Sequence, residues 1–429
     1  MKLAVVVQRY GADINGGAEL HARYVAERLS KHAEVDVFTT CARDYVTWAN
    51  ELAPGASELN GVRVRRFPVS HPRDVKAFAR LSDLVFTREH SISDELRWLE
   101  SEGPASPAML KAIAGERTTY DWFLFFSYRY HHAFHGARAV PDKAILVPTA
   151  ERDAAVGLSI FKPVFRGVRA LMFNSFEERA MLQRAAAAAR LPGVVVGVGS
   201  EVPERPSPDR FRQKHGIEGP FALYVGRIDV NKGCAELFDH FQRFVRTMPG
   251  YLQLVLIGHS LLPIPKHPRI RHLGFLPDED KFDAMAAAQV LVMPSYYESL
   301  SMVALEAWAI GTPVLANGRC DVLKGQCLRS NAGLFYESYA EFAETLHAIT
   351  SGPTLCQALG SNGRAYFRKH YAWPVIERKY LETFDRLSRE AAGERPALDG
   401  LPGFFARRTR NVRPAEEVLS GIPAGAVTR

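Results

Sequence analysis

Short, continuous apolar runs separated by amphipathic helical stretches recur along almost the whole chain. That alternation leaves room for little except parallel sheets covered by helices on both faces. The run LAVVVQ (3–8) leads through a glycine-containing turn into AELHARYVAERLSKH. EVDVFTT (34–40), VRVRRFP (62–68), DWFLFFS (121–127), AILVPT (144–149), ALMFNS (170–175) and VVVGVG (194–199) follow. Most of these runs lack the polar–apolar alternation of a strand wet on one side, so both faces are expected to be buried.

The rhythm breaks at 199–218 (GSEVPERPSPDRFRQKHGIE), where proline, glycine and charge read as a linker. It restarts with FALYVGR (221–227), LQLVLIG (252–258), IRHLGF (270–275), VLVMPS (290–295), PVLAN (313–317) and GLFY (333–336). A chain of 429 residues also exceeds the size at which one core keeps growing. The expected division is a first Rossmann-like domain over 1–198, the linker, a second Rossmann-like domain over 219–372, a helix over 373–390, and an irregular tail over 391–429. Residues 60–120 carry weaker strand signal and are expected to hold helical insertions. Ligands of open parallel sheets bind beyond the carboxyl ends of the strands, so the cleft between the two halves is the expected site.

Composition excludes several alternatives. No run approaches the roughly 20 apolar residues that span a bilayer. The apolar start, Leu3 to Val7, is shorter than a signal-peptide core and reads as a first strand, so a cytoplasmic protein is expected. Five cysteines (Cys41, Cys234, Cys320, Cys327, Cys356) are scattered without a CxxC pair, which suggests neither a disulfide framework nor a cysteine zinc site. A net charge of +7 favours anionic partners. Nucleic acid is disfavoured, because no aromatic-basic RNA motif or zinc-finger spacing is present. Basic residues at Arg63, Arg65, Arg66, Arg73, Lys76, Arg80 and Arg88 read either as a solvated surface or as a peripheral contact with an anionic membrane.

Three segments carry chemistry. In SYYESLSMVALEAWAIGTPVLA a strand ends near Ser295, a turn carries Glu298, and an apolar helix begins near Ser299–Ser301. Unpaired N–H groups and the positive end of the dipole make such a helix start, with Ser301, Met302 and Val303, a seat for a diphosphate. Glu298 and Glu306 can accept hydrogen bonds from vicinal sugar hydroxyls; the alternative is a capping Glu298 and an exposed Glu306. In ALYVGRIDVNKGCAEL a strand runs into Gly226, with Arg227 and Lys232 around the following turn. Two cations there would stabilise charge growing on a leaving phosphate, or would be solvated loop charges. In RYGADINGGAELHARYVAERL, Gly16 and Gly17 precede a helix and let the backbone approach a phosphate or sugar, or form a tight structural turn. The pattern is not GxGxxG, which disfavours a dinucleotide dehydrogenase.

Over most of residues 1–390 the chain resembles the family 4 retaining glycosyltransferases of the GT-B fold, which transfer sugars from nucleotide donors. The Gly16–Gly17 turn, the Arg227…Lys232 pair, the IG ending at Gly258, HLGFLP (272–277) and the Glu-x7-Glu pair carry the resemblance in this order. It implies that Arg227 and Lys232 bind the donor diphosphate with the backbone at Ser301–Val303, that Glu306 accepts from the ribose, that Glu298 contacts the donor sugar, and that Phe275 and Leu276 lie near the base. It further implies a UDP- or GDP-sugar as donor substrate, no cofactor and no metal, and a glycan or lipid-linked acceptor in polysaccharide or glycolipid assembly. The segment YAWPVIERKYLETF (371–384) resembles the helix by which such chains cross back to the first domain.

One departure stands out. Many relatives place a His after the Pro-Thr-Ala strand end of the first domain; here VPTAERDAA puts Glu151, Arg152 and Asp153 there. An imidazole can donate to a sugar hydroxyl, whereas an ionised carboxylate cannot. Glu151 therefore acts differently, or the transferred sugar differs, or turnover is weak or absent, with His131 and His132 of SYRYHHAFHG as candidates to replace the missing donor; a non-catalytic sugar-nucleotide-binding subunit is the alternative class. Sugar-nucleotide epimerisation is a third class open to the same fold.

Overall fold

The computed structural model describes residues 1–390 apart from Asn15 and Pro249, and the tail expected over 391–429 lies outside the described residues. Strands β1 (Lys2–Val6), β2 (Glu34–Thr40), β3 (Gly55–Leu59), β4 (Val62–Phe67), β5 (Trp122–Phe126), β6 (Ala144–Val147), β7 (Ala170–Phe173) and β8 (Gly193–Val195) form one sheet, ordered β3-β4-β2-β1-β5-β6-β7-β8. Strands β9 (Phe221–Val225), β10 (Gln253–Ile257), β11 (Ile270–His272), β12 (Val290–Met293), β13 (Val314–Asn317) and β14 (Gly333–Tyr336) form a second, ordered β11-β10-β9-β12-β13-β14. Every pairing is parallel except β3 with β4. Two α/β parallel-sheet domains are thus present, as the alternation of runs implies.

The continuous apolar runs have the reason expected of them. In β1, Leu3 and Val5 pack into one buried cluster and Ala4 and Val6 into another, on opposite faces of the sheet. In each sheet the chain steps outward and then crosses back over its first strand, between β1 and β5 and between β9 and β12. Connections leave in opposite directions there, which opens a crevice at the carboxyl ends.

Two expectations need correction. The segment 199–218 is not all linker: Pro208–His215 is a helix with Phe211 fully buried. The Ser207–Pro208 start is a helix-entry signature, and Asp283 fastens it by accepting from Ser207 N (2.6 Å) and Arg210 Nε (2.5 Å). The run at 194–199 ends as a strand at Val195, because Gly197 turns the chain at φ +78°. Residues 60–120 hold three helices (Val75–Thr87, Ile92–Glu102, Pro107–Gly115), as expected, and the expected run at 62–68 is β4, paired with β3 in a hairpin through Asn60 and Gly61.

The helix Trp373–Arg389 packs on the first domain. Trp373 meets Tyr24 edge-on at 5.9 Å, Glu377 pairs with Arg28 (3.6 Å) and His32 (3.0 Å), and Lys379 Nζ donates to Val196 O at 3.0 Å. Gly197 and Gly199 leave no space for a Cβ because Tyr371 and Trp373 lie against them.

Several residues of the basic group are tied down locally: Arg65 to Glu116 (2.6 Å), Arg73 to Glu102 (2.8 Å) and Arg88 to Asp83 (2.5 Å). Among the described residues no helix is long and apolar enough to cross a membrane.

Candidate active site

The loops after β9 and β12, at the switch point of the second sheet, bring together residues 66 apart in sequence: Lys232 Nζ donates to Glu298 Oε1 at 2.9 Å. Local turns aim them. Asp229 pairs with the Arg227 guanidinium through one oxygen and accepts Lys232 N at 2.8 Å through the other. One buried carboxylate therefore holds the Arg227 guanidinium and the backbone of Lys232, and it is absent from the sequence reading, although an Asp accepting from the backbone three residues on is a readable turn signal.

Burial works against the Lys232 ammonium, but Glu298 and Glu151 outweigh it, and the pKa rises above its ordinary value. Lys232 is thus a fixed cation. Arg227 keeps about half of its side chain in solvent.

Glu151, in the loop after β6, faces this pair from the first domain. Burial pushes its carboxyl up to about 7; Lys232 opposes the rise, and Glu298 and Asp153 add to it. Near neutrality a substantial fraction of Glu151 carries a proton, so the objection that a carboxylate cannot donate loses its premise. The preceding residue is locked by Glu178, which accepts Ala150 N and Asn174 N, each at 2.5 Å, and so clamps the loops after β6 and β7 together. Its sequence signal was the Ser-x-x-Glu of a capping box at Ser175; Ser175 Oγ does accept Glu178 N at 3.1 Å, while the carboxylate reaches further.

The helix Met302–Ile310 begins at Ser301, whose backbone sits at φ +70°, ψ +86°, and Ser301 Oγ accepts Ala304 N at 3.4 Å. A non-glycine residue held there is a strained conformation of the kind that collects at ligand sites. Met302 and Val303 form the first turn, where N–H groups lack helical partners. Glu306 is buried, not exposed, and Lys281 Nζ lies 3.2 Å from its Oε1. Burial raises its pKa and Lys281 opposes the rise. The two glutamates thus have separate cationic partners, and nothing in the sequence announces Lys281.

Gly226 (φ +147°) and Gly258 (φ +137°) end β9 and β10 side by side; a Cβ on Gly258 would sit 2.0 Å from Gly226 O. Their first duty is to let the two strand ends touch. Phe275 is exposed and stacks on His259 with centroids 5.3 Å apart and planes 9° from parallel, and Leu276 beside it is half-buried. In the first domain Gly16 precedes the helix Gly17–Leu29. A Cβ on Gly16 would overlap Glu19, which pairs with Arg9, whereas one on Gly17 would meet no protein atom within 4 Å.

Neither histidine offered as a substitute for the missing donor serves. His132 is fully buried, its ring bonded to Phe126 O at 3.1 Å, and burial lowers its pKa to about 3. His131 turns to Glu100 at 3.3 Å.

A cavity of about 490 Å³ opens beside Glu298, between first-domain residues that include Arg152 and Glu178 and second-domain residues that include Tyr296 and Arg319.

Two parallel-sheet domains of this topology give the chain the fold of the GT-B glycosyltransferases. Residues 207–366 match the model of the family glycosyl transferases group 1. The chain is 23% identical to alpha-maltose-1-phosphate synthase of Mycolicibacterium smegmatis, over 90% of this chain and all of that one. It is 25% identical to D-inositol 3-phosphate glycosyltransferase of Corynebacterium urealyticum, over 89% of this chain and 93% of that one. Among solved structures, Anabaena HepE in complex with UDP-glucose superposes with a TM-score of 0.65 at 16% identity, over 90% of this chain and 100% of that one.

Proposed function

We propose that the chain is a retaining glycosyltransferase that moves the sugar of a UDP- or GDP-sugar to a hydroxyl of a glycan or lipid-linked acceptor, with no metal at the diphosphate. The observation that carries this reading is the convergence of Lys232, Glu298 and Glu151 from three loops. Lys232 and Arg227 take the place a metal would occupy, neutralising charge that grows on the leaving phosphate. The start of the helix Met302–Ile310 adds N–H groups toward the same anion. Glu298 accepts from the donor sugar, Glu306 from the ribose, and the exposed face of Phe275 lies at the base. The leaving phosphate takes the acceptor proton on the face from which it departs. HepE, whose structure holds UDP-glucose, supports a uridine donor.

A thermal-shift panel of UDP-, GDP-, ADP- and dTDP-sugars tests the donor half. A ligand at a hundredfold excess over its Kd stabilises the folded state by about 2.7 kcal/mol. One nucleotide class is expected to raise Tm, and Arg227→Ala/Glu306→Gln protein is expected to lose that rise. A folded sample indifferent to every donor would overturn the assignment.

Glu151 gives the proposal a pH signature. Its folded pKa is raised, so the donating, protonated form prevails below about 7 and disappears as pH rises through that value. A bound diphosphate adds negative charge and moves the transition upward. The kcat/KM profile is expected to fall on its alkaline side, and Glu151→Gln, which donates at every pH, is expected to flatten that limb. An unchanged limb in Glu151→Gln protein would remove Glu151 from the role of donor. A live proton donor here also favours an enzyme over a binding subunit.

A further inference from the structure

His131 and His135 lie one turn apart on the helix His131–Ala139, and Glu100 of the helix Ile92–Glu102 reaches across to both. Glu100 Oε2 is 3.3 Å from His131 Nε2 and Glu100 Oε1 is 3.2 Å from His135 Nε2, and all three donor atoms lie within 4.8 Å of one another. Tetrahedral coordination with bonds of about 2.0–2.1 Å separates donor atoms by about 3.3–3.4 Å. Each of the two separations is close to that edge, one from each carboxylate oxygen, and a small rotation of Glu100 brings a single oxygen toward both rings. An i, i+4 histidine pair puts two imidazoles on one helix face, and the third donor comes from a different element, so the arrangement does not reduce to one helix turn.

We propose that Glu100, His131 and His135 form a binding site for a borderline divalent cation, Zn2+ foremost, with water as the fourth ligand. Two imidazoles and one carboxylate are the donor set such ions favour over Mg2+ or Ca2+. His131 is buried and fixes one side, while Glu100 is about half exposed and leaves an entry path.

The site stands outside the donor cleft yet is connected to it. Two residues beyond Glu100, Glu102 Oε1 accepts Arg129 Nε at 2.8 Å, and Arg129 Nη1 donates to Asp153 Oδ2 at 2.8 Å. His131 N also donates to Gly103 O at 3.1 Å. A cation joining the two helices therefore braces the scaffold that holds Asp153, two residues from Glu151. Its role is structural, and it takes no part in sugar transfer.

The test uses the purified full chain, stripped with chelator and then dialysed against limiting Zn2+. Bound metal is counted by elemental analysis, and Co2+ absorption reports the coordination. Wild-type protein is expected to retain one Zn2+ per chain, to show a tetrahedral Co2+ spectrum and to gain Tm with the metal. His135→Ala and Glu100→Gln, both at the more exposed side, are expected to keep the metal-free Tm. Each is expected to weaken Zn2+ binding by at least about a hundredfold, more than loss of an outer-shell partner does. Failure of the wild-type chain to retain Zn2+ would overturn the site. Equal retention by both variants would also overturn it, by assigning the metal to other residues.

Discussion

Lys232→Ala is expected to lower kcat/KM for the donor by about 10²–10³-fold, the loss typical of removing one preorganised charge from a developing oxyanion. Two features place the effect at the upper end. The ammonium is held by Glu298 at 2.9 Å and needs no reorganisation as the phosphate departs. Its removal also takes away the charge that most opposes the rise at Glu151, so the carboxyl of Glu151 rises further and the pH profile shifts with it. Arg227→Ala is expected to cost less, roughly tenfold, because a half-exposed charge is screened by water and salt. The two substitutions act on one phosphate and should not add. Steady-state kinetics on folded variants decide the matter. Undiminished turnover in Lys232→Ala protein would put the diphosphate elsewhere.

The second large effect is on stability. Gly258→Ala is expected to destabilise the chain by about 3 kcal/mol or more, the range for a backbone clash added to a strained φ. The new Cβ would lie 2.0 Å from Gly226 O. Neither backbone can retreat freely, since Gly226 N donates to Ile257 O at 2.9 Å and Gly258 N to Gly274 O at 2.8 Å. Gly17→Ala is the companion measurement. A methyl there meets no protein atom within 4 Å and occupies the first turn of a helix, so Tm is expected to hold or rise. If the backbone at Gly17 faces the substrate, the same methyl weakens turnover without loss of stability. A Gly258→Ala protein as stable as wild type would show that the strand ends at Gly226 and Gly258 are free to move apart.

The parts of the fold legible in the sequence were those with a period or a run. Buried parallel strands such as 121–127 and 221–227 announce themselves because both faces must be apolar. The site was legible where one loop carries several chemical groups, as with Arg227 and Lys232. Legibility failed where the cause is tertiary. Lys281 and Glu306 are 25 residues apart and meet only after the chain folds. The protonation of Glu151 depends on burial between two domains, which no local pattern encodes. β3, with the polar sequence GASEL, had no apolar run to betray it, although Asn60–Gly61 is the dipeptide that a two-residue hairpin turn selects. Pro208–His215 was obscured by its own charge, since the single apolar residue that anchors it, Phe211, sets no period. His131 and His132 show the opposite failure: two adjacent imidazoles invite a functional reading, and the helix sends them to different surroundings.

The described chain passes between its two halves twice, and the two passages lie against each other. Tyr371 covers Gly197, Trp373 covers Gly199, and Lys379 Nζ donates both to Val196 O (3.0 Å) and to His370 O (3.2 Å). Two ribbons fused along one edge act as a door hinge. They resist shear and twist, and leave rotation about their shared line as the soft motion. A donor carried on one leaf would then meet Glu151 on the other along a single arc, so that little orientational freedom remains to be lost when the door shuts.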